Sequence, residues 1–129
     1  MESKQATIKI EKRSDYISAR IAGDLEYGII EDVKKVLQSQ KPETEYGYIL
    51  DMQSVTNIDS TGFGMIVNFA KKVLSKEKRI VIIVADEFIR NLFSISQCDK
   101  VFPIARNESE ALHLLKENNW TGELSINDY

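Results

Sequence analysis

The run Ile80-Val81-Ile82-Ile83-Val84-Ala85 constrains this fold more than any other segment. A continuous, largely β-branched run has no polar side to offer water, so it needs cover on both faces and reads as a buried strand. It is far shorter than the roughly 20 apolar residues needed to cross a bilayer, so no membrane insertion is expected. Tyr46 to Met52, residues 46–52, reads as a second buried strand. Earlier in the chain, Ile8 and Ile10, then Ile17, Ala19 and Ile21, alternate with polar neighbours on either side of the charged stretch Lys12-Arg13-Ser14-Asp15. That pattern predicts a β-hairpin.

Between and after these strands the apolar period changes to that of a helix. Ile29, Ile30, Val33, Val36 and Leu37 predict a first helix ending before Lys41-Pro42. Phe63, Ile66, Val67, Phe69, Ala70, Val73 and Leu74 predict a second, stopped by Ser75-Lys76-Glu77-Lys78-Arg79. Asp86 is placed to cap a third, carrying Phe88, Ile89, Leu92 and Phe93. A short strand is expected over 101–104, then a fourth helix opened by Asn107 and Glu110 at capping-box spacing and carrying Ala111, Leu112, Leu114 and Leu115. Residues 119–129 read as a polar C-terminal tail after a domain spanning 1–118, with Trp120 able to pin it to the body. Strands alternating with helices after a hairpin imply an α/β fold, a mixed β-sheet with about four helices packed against it. An all-parallel doubly wound sheet fits less well, because its first strand would feed a helix directly.

A chain of 129 residues is one domain by size. Its formal net charge is −3, and its 17 lysines and arginines form no basic run, so the footprint of a nucleic-acid binder is missing. A folded protein is the expected partner. The N-terminus, Met1-Glu2-Ser3-Lys4-Gln5, lacks the basic-then-apolar pattern of a secretory signal, so a cytoplasmic chain is expected. With one cysteine, Cys98, and one histidine, His113, no internal disulfide and no zinc-type cluster is expected, and no cofactor is called for.

Chemistry concentrates at Ile58-Asp59-Ser60-Thr61-Gly62-Phe63-Gly64, where a strand-like segment gives way to the second helix. Asp59, Ser60 and Thr61 are all suited to cap that helix. A hydroxyl there can also accept a phosphate, which would bring roughly −1.5 to −2 charges to a helix N-terminus that tolerates anions and beside a carboxylate that does not. The Gly62-Phe63-Gly64 stretch lacks the lysine and glycine spacing of a phosphate-cradling loop and reads as close packing at a helix start.

Together with Gly23-Asp24-Leu25-Glu26, Ile49-Leu50-Asp51-Met52 and Leu92-Phe93-Ser94-Ile95-Ser96, the Asp59-Ser60-Thr61-Gly62 box makes most of the chain resemble the STAS domain of bacterial anti-sigma-factor antagonists. The resemblance implies that Ser60, with Thr61 as second candidate, is phosphorylated by a partner kinase. It implies that Asp24, Leu25, Glu26, Asp59, Ser60, Thr61, Gly62 and Phe63 face that partner, an anti-sigma factor with serine kinase activity. The unphosphorylated form would bind it and release the sigma factor, phosphate would switch binding off, and a metal-dependent serine phosphatase would restore it. The same resemblance allows a STAS adaptor or scaffold in a lipid-transport or stress-sensing complex. Three departures from the family pattern stand out: Gly23-Asp24-Leu25-Glu26 exchanges the lengths of the two usual acidic side chains, Phe63 replaces leucine, and Ser96-Gln97-Cys98 stands where Ser-Gly-Leu is typical.

Other chemistries fit less well. A phosphoaspartate receiver would use Asp51 as acceptor, but the first strand ends Ile10-Glu11-Lys12 without the acidic pair that holds magnesium. Asp51 is therefore expected to be a loop-capping or solvent-facing carboxylate. An enzyme using Ser60 as nucleophile needs an adjacent base, yet His113 sits among leucines on the fourth helix, so no catalysis is expected of this chain. Cys98 is expected to be structural, since its neighbour Asp99 opposes thiolate formation.

Overall fold

The first strand pair is built as the alternation predicts. In the computed structural model, which describes residues 4–117, β1 (Ala6–Lys12) pairs antiparallel with β2 (Ile17–Leu25). Ile17, Ala19 and Ile21 are buried while Arg20, between them, is exposed. The chain continues through α1 (Glu31–Gln38), β3 (Gly47–Ile58), α2 (Ser60–Ser75), β4 (Arg79–Ile83), α3 (Glu87–Ile95), a short 3-10 turn (Cys98–Lys100), β5 (Ile104–Ala105) and α4 (Glu108–Lys116). The expected tail, with Trp120, lies outside the described residues.

The five strands lie in sequence order, and β2, β3, β4 and β5 run parallel. Each crossover advances the same way across the sheet, so right-handed connections put α1, α2 and α3 on one face. Phe69 of α2 meets Tyr48 of β3 edge-on at 5.2 Å on that face. The other face takes α4, which packs on β3, β4 and β5. Between these layers β4 has the double cover its sequence demanded: Ile80, Val81, Ile82 and Ile83 are all 0% exposed. The strand ends at Ile83, and Ala85 is already at the surface.

Four local expectations are corrected. β3 does not stop at Met52 but runs on to Ile58, because its second half still pairs with β2 after β4 has ended. That half has fewer neighbours, and Ser54, Thr56 and Asn57 are exposed. The strand expected over 101–104 is reduced to Ile104–Ala105, since the 3-10 turn occupies the approach and Pro103 has no N–H to donate. Ile29 and Ile30 precede α1 rather than opening it. Asp51 neither caps a loop nor faces water: it is 4% exposed within β3. Its Oδ2 accepts from Arg20 Nε at 3.3 Å, while Oδ1 accepts from the backbone N–H of Gln53 at 2.9 Å and from Gln53 Nε2 at 3.2 Å.

The missing glycine after Ser96 also has a structural answer. Gln97 takes the left-handed conformation that glycine would supply, at φ 63°. Its N–H donates to the Ser94 carbonyl at 3.1 Å, closing the end of α3.

Candidate functional site

The carboxyl ends of β2, β3 and β4 carry three consecutive strand-to-helix connections, and Ser60 stands in the middle one. Of the three residues suited to cap α2, Asp59 takes the position. Its extended backbone, at φ −112° and ψ −176°, turns the side chain back over the first helical turn, and Oδ1 accepts from Gly62 N–H at 2.9 Å. Ser60 and Thr61 then become the first two helical residues, both exposed. No hydrogen bond among the described residues engages either hydroxyl.

Asp59 also reaches sideways. Its Oδ2 accepts from Tyr27 N–H at 2.9 Å, and its own N–H donates to the Leu25 carbonyl at 3.2 Å. One carboxylate thus ties the end of β2 and the following turn to the start of α2. The turn itself closes by Ile29 N–H to the Glu26 carbonyl at 2.9 Å and uses Gly28 at φ 85°, a conformation glycine adopts without a steric penalty. The N–H groups of Tyr27 and then Gly62 hold the Asp59 carboxyl below the usual carboxylate range, because both bonds favour the charged form.

Gly62 makes this closeness possible. A Cβ there would overlap the Leu25 carbonyl oxygen and sit 2.9 Å from Leu25 Cβ, so the helix start rests directly on β2. Phe63, one residue on, is half-buried and meets Phe93 of α3 edge-on at 4.9 Å. That contact sets α3 beside the first turn of α2.

The residues expected to face a partner fall into two groups. Asp59, Ser60 and Thr61 open α2, and Asp24 and Glu26, both half-buried, flank Leu25, whose carbonyl accepts the Asp59 N–H. Asp24 Oδ1 accepts from Asn57 Nδ2 at 2.6 Å, and Glu26 is paired with Lys4 at 3.0 Å. Leu25 is a correction: its side chain is 0% exposed, pointing into the core, and only its carbonyl serves the site. Gly62 likewise contributes packing rather than surface, and Phe63 is partly covered by α3. Tyr27 was missed by sequence reasoning, although the glycine after it signalled a turn; its N–H holds Asp59 and its ring is 82% exposed.

His113 lies on α4, across the sheet, paired with Glu117 at 3.3 Å, and offers Ser60 no base. Among the described residues no group of three or more histidines, cysteines or acids is placed to hold a metal ion, and no helix is long and apolar enough to cross a membrane.

Comparison with known proteins agrees with this architecture. The anti-sigma-B factor antagonist of Staphylococcus epidermidis is 26% identical over 82 residues, 64% of this chain and 76% of that protein. A crystal structure of an anti-sigma factor antagonist from Mycobacterium paratuberculosis shares the fold with a TM-score of 0.79 at 16% identity, covering 88% of this chain and 96% of that one. The Bacillus cell-fate determinant SpoIIAA, in its phosphorylated form, shares it with a TM-score of 0.61 at 17% identity, over 83% of this chain and 97% of that one. The family model described as STAS domain matches residues 7–111, and the chain belongs to the STAS domain family.

Proposed function

We propose that this protein is an anti-sigma-factor antagonist switched by phosphorylation of Ser60. The observation that carries the reading is the division of labour at the start of α2: Asp59 supplies the cap, which leaves the Ser60 hydroxyl exposed and unengaged at a helix N-terminus. The similarity to antagonists supports the partner class. In the unphosphorylated form the face around Ser60 docks onto an anti-sigma factor that is also a serine kinase, and the sigma factor is released. Ser60 Oγ then attacks the γ-phosphorus of the kinase's ATP, ADP leaves, and the hydroxyl proton passes to the kinase's base. This chain is substrate and ligand, and the kinase is the catalyst.

The phosphate would add roughly −1.5 to −2 charges beside Asp59, which is held ionised by its two N–H bonds. An interface formed around a neutral hydroxyl is opposed by that charge, and each ~1.4 kcal/mol lost weakens binding tenfold. A metal-dependent serine phosphatase restores the binding form. The cytoplasm is where these partners meet.

The test is binding and labelling with the host's anti-sigma kinase. Ser60→Ala should bind as the wild type does and take up no phosphate, while Ser60→Asp should bind more weakly. A Ser60→Ala protein labelled as strongly as wild type would move the assignment to Thr61.

A further inference from the structure

The large apolar side chains left most exposed among the described residues are Tyr27 at 82%, Phe88 at 65% and Ile95 at 80%. Scattered exposed apolar residues need no explanation. Two of these, however, stand on the two connections that flank Ser60. Tyr27 is in the β2–α1 turn, fixed to Asp59 by its N–H, and Phe88 is in the first turn of α3, after β4. Because β3 lies between β2 and β4, the connection bearing Ser60 lies between those bearing Tyr27 and Phe88.

The orientation of α3 extends this surface. Ile89 and Phe93 face the core, and Glu87, Arg90, Asn91 and Ser94 line a hollow against Asp99 and Ile104. Phe88, Leu92 and Ile95, spaced four and three apart, therefore form a stripe on the remaining flank, away from β5 and on the side of α2. The contact of core-facing Phe93 with Phe63 sets α3 beside the first turn of α2. The connections carry Asp24, Glu26, Asp59, Asp86 and Glu87 against Lys4, Arg90 and Arg106, with Lys4 and Arg106 paired to Glu26 and Glu87, so the charge is acidic on balance.

We infer that Tyr27 and Phe88 are the anchors that seat the partner on either side of Ser60, and that the partner presents two apolar pockets within a basic rim. This rests on the proposed function and names the contacts that reading leaves open. Exposed aromatics held on rigid turns suit anchoring, because little side-chain freedom is lost when they are covered. They touch the partner and not the reacting atoms, so they set affinity and leave the transfer step alone.

The probe is the host's kinase that phosphorylates Ser60, with affinity and single-site labelling kinetics measured in parallel. Tyr27→Ala and Phe88→Ala should each weaken binding about 30-fold, roughly 2 kcal/mol, and raise KM with kcat at saturation unchanged. Tyr27→Phe and Phe88→Leu should retain most of the affinity. Lys9→Ala, on β1 beyond β2, should bind as wild type. Both side chains are exposed, so the variants should keep the wild-type circular dichroism and melting. If both alanine variants bind normally while Ser60→Asp binds weakly, the anchors are refuted and the switch stands. If Ser60→Asp also binds normally, switch and anchors fall together.

Discussion

Replacing Gly62 by alanine should destabilise the protein, although the same change two residues later should stabilise it. At Gly62 a new Cβ overlaps the Leu25 carbonyl oxygen and lies 2.8 Å from its carbon and 2.9 Å from its Cβ. That carbonyl accepts the Asp59 N–H, so it cannot retreat without lengthening a bond at the helix start. Overpacking of this kind costs about 1–3 kcal/mol, and a disturbed hydrogen bond about 0.5–1.5 kcal/mol more. Against this stands a helix-propensity gain of at most about 1 kcal/mol for alanine over glycine. The net expectation is a loss of about 1–3 kcal/mol. At Gly64 nothing lies within 4 Å of the added Cβ, so only the propensity term remains and Gly64→Ala should gain about 0.5–1 kcal/mol. Urea denaturation should show the two midpoints moving in opposite directions with unchanged slope. A Gly62→Ala midpoint equal to or above that of Gly64→Ala would mean that the helix start does not rest on β2.

The other predictions concern charge and backbone. The Asp59 carboxyl is held low by the N–H groups of Tyr27 and Gly62, so its stabilising contribution is fully present above the ordinary carboxylate value and is lost as pH falls through the lowered one. Asp59→Ala should flatten that acid limb and speed hydrogen exchange at the Tyr27 and Gly62 amides, which NMR can follow. Gln97→Gly should raise stability by about 0.5–1 kcal/mol in urea melts, because a non-glycine residue at φ 63° pays a steric penalty. The Tyr48 phenol is pushed up to about 12, chiefly by burial and then by the Glu45 carboxylate. Its neutral form is favoured in the fold, so stability should decline as pH rises from the ordinary phenol value of about 10 toward about 12, and ultraviolet titration should show one tyrosine ionising well after an ordinary phenol.

The layers of this fold were legible wherever one physical demand dominated. Residues 80–84 had to be buried on both sides, though the run's last residue, Ala85, is at the surface, and the hairpin alternation sets the β1–β2 pairing. Asp86 and Asn107 cap α3 and α4 as their types predict. Legibility failed where pairing changes along an element. The polar half of β3, from Ser54, looks like a loop because it has a strand on one side only. Asp51 looked like surface because its partner Arg20 is distant in sequence and adjacent only across the β2–β3 register. At the site, three consecutive residues could each have capped α2, and composition could not choose among them. The extended backbone of Asp59 decides it and frees Ser60. Leu25 reads with its acidic neighbours as partner-facing, but its side chain turns inward at the end of β2.

Phosphorylation of the Ser60 hydroxyl is the proposed switch. Intact mass of the protein isolated from its own host, followed by peptide mapping across residues 59–64, tests it most directly. The expected result is a single phosphate on Ser60 whose occupancy differs between resting and stressed cells. Absence of phosphate under both conditions would contradict it and favour a constitutive STAS adaptor.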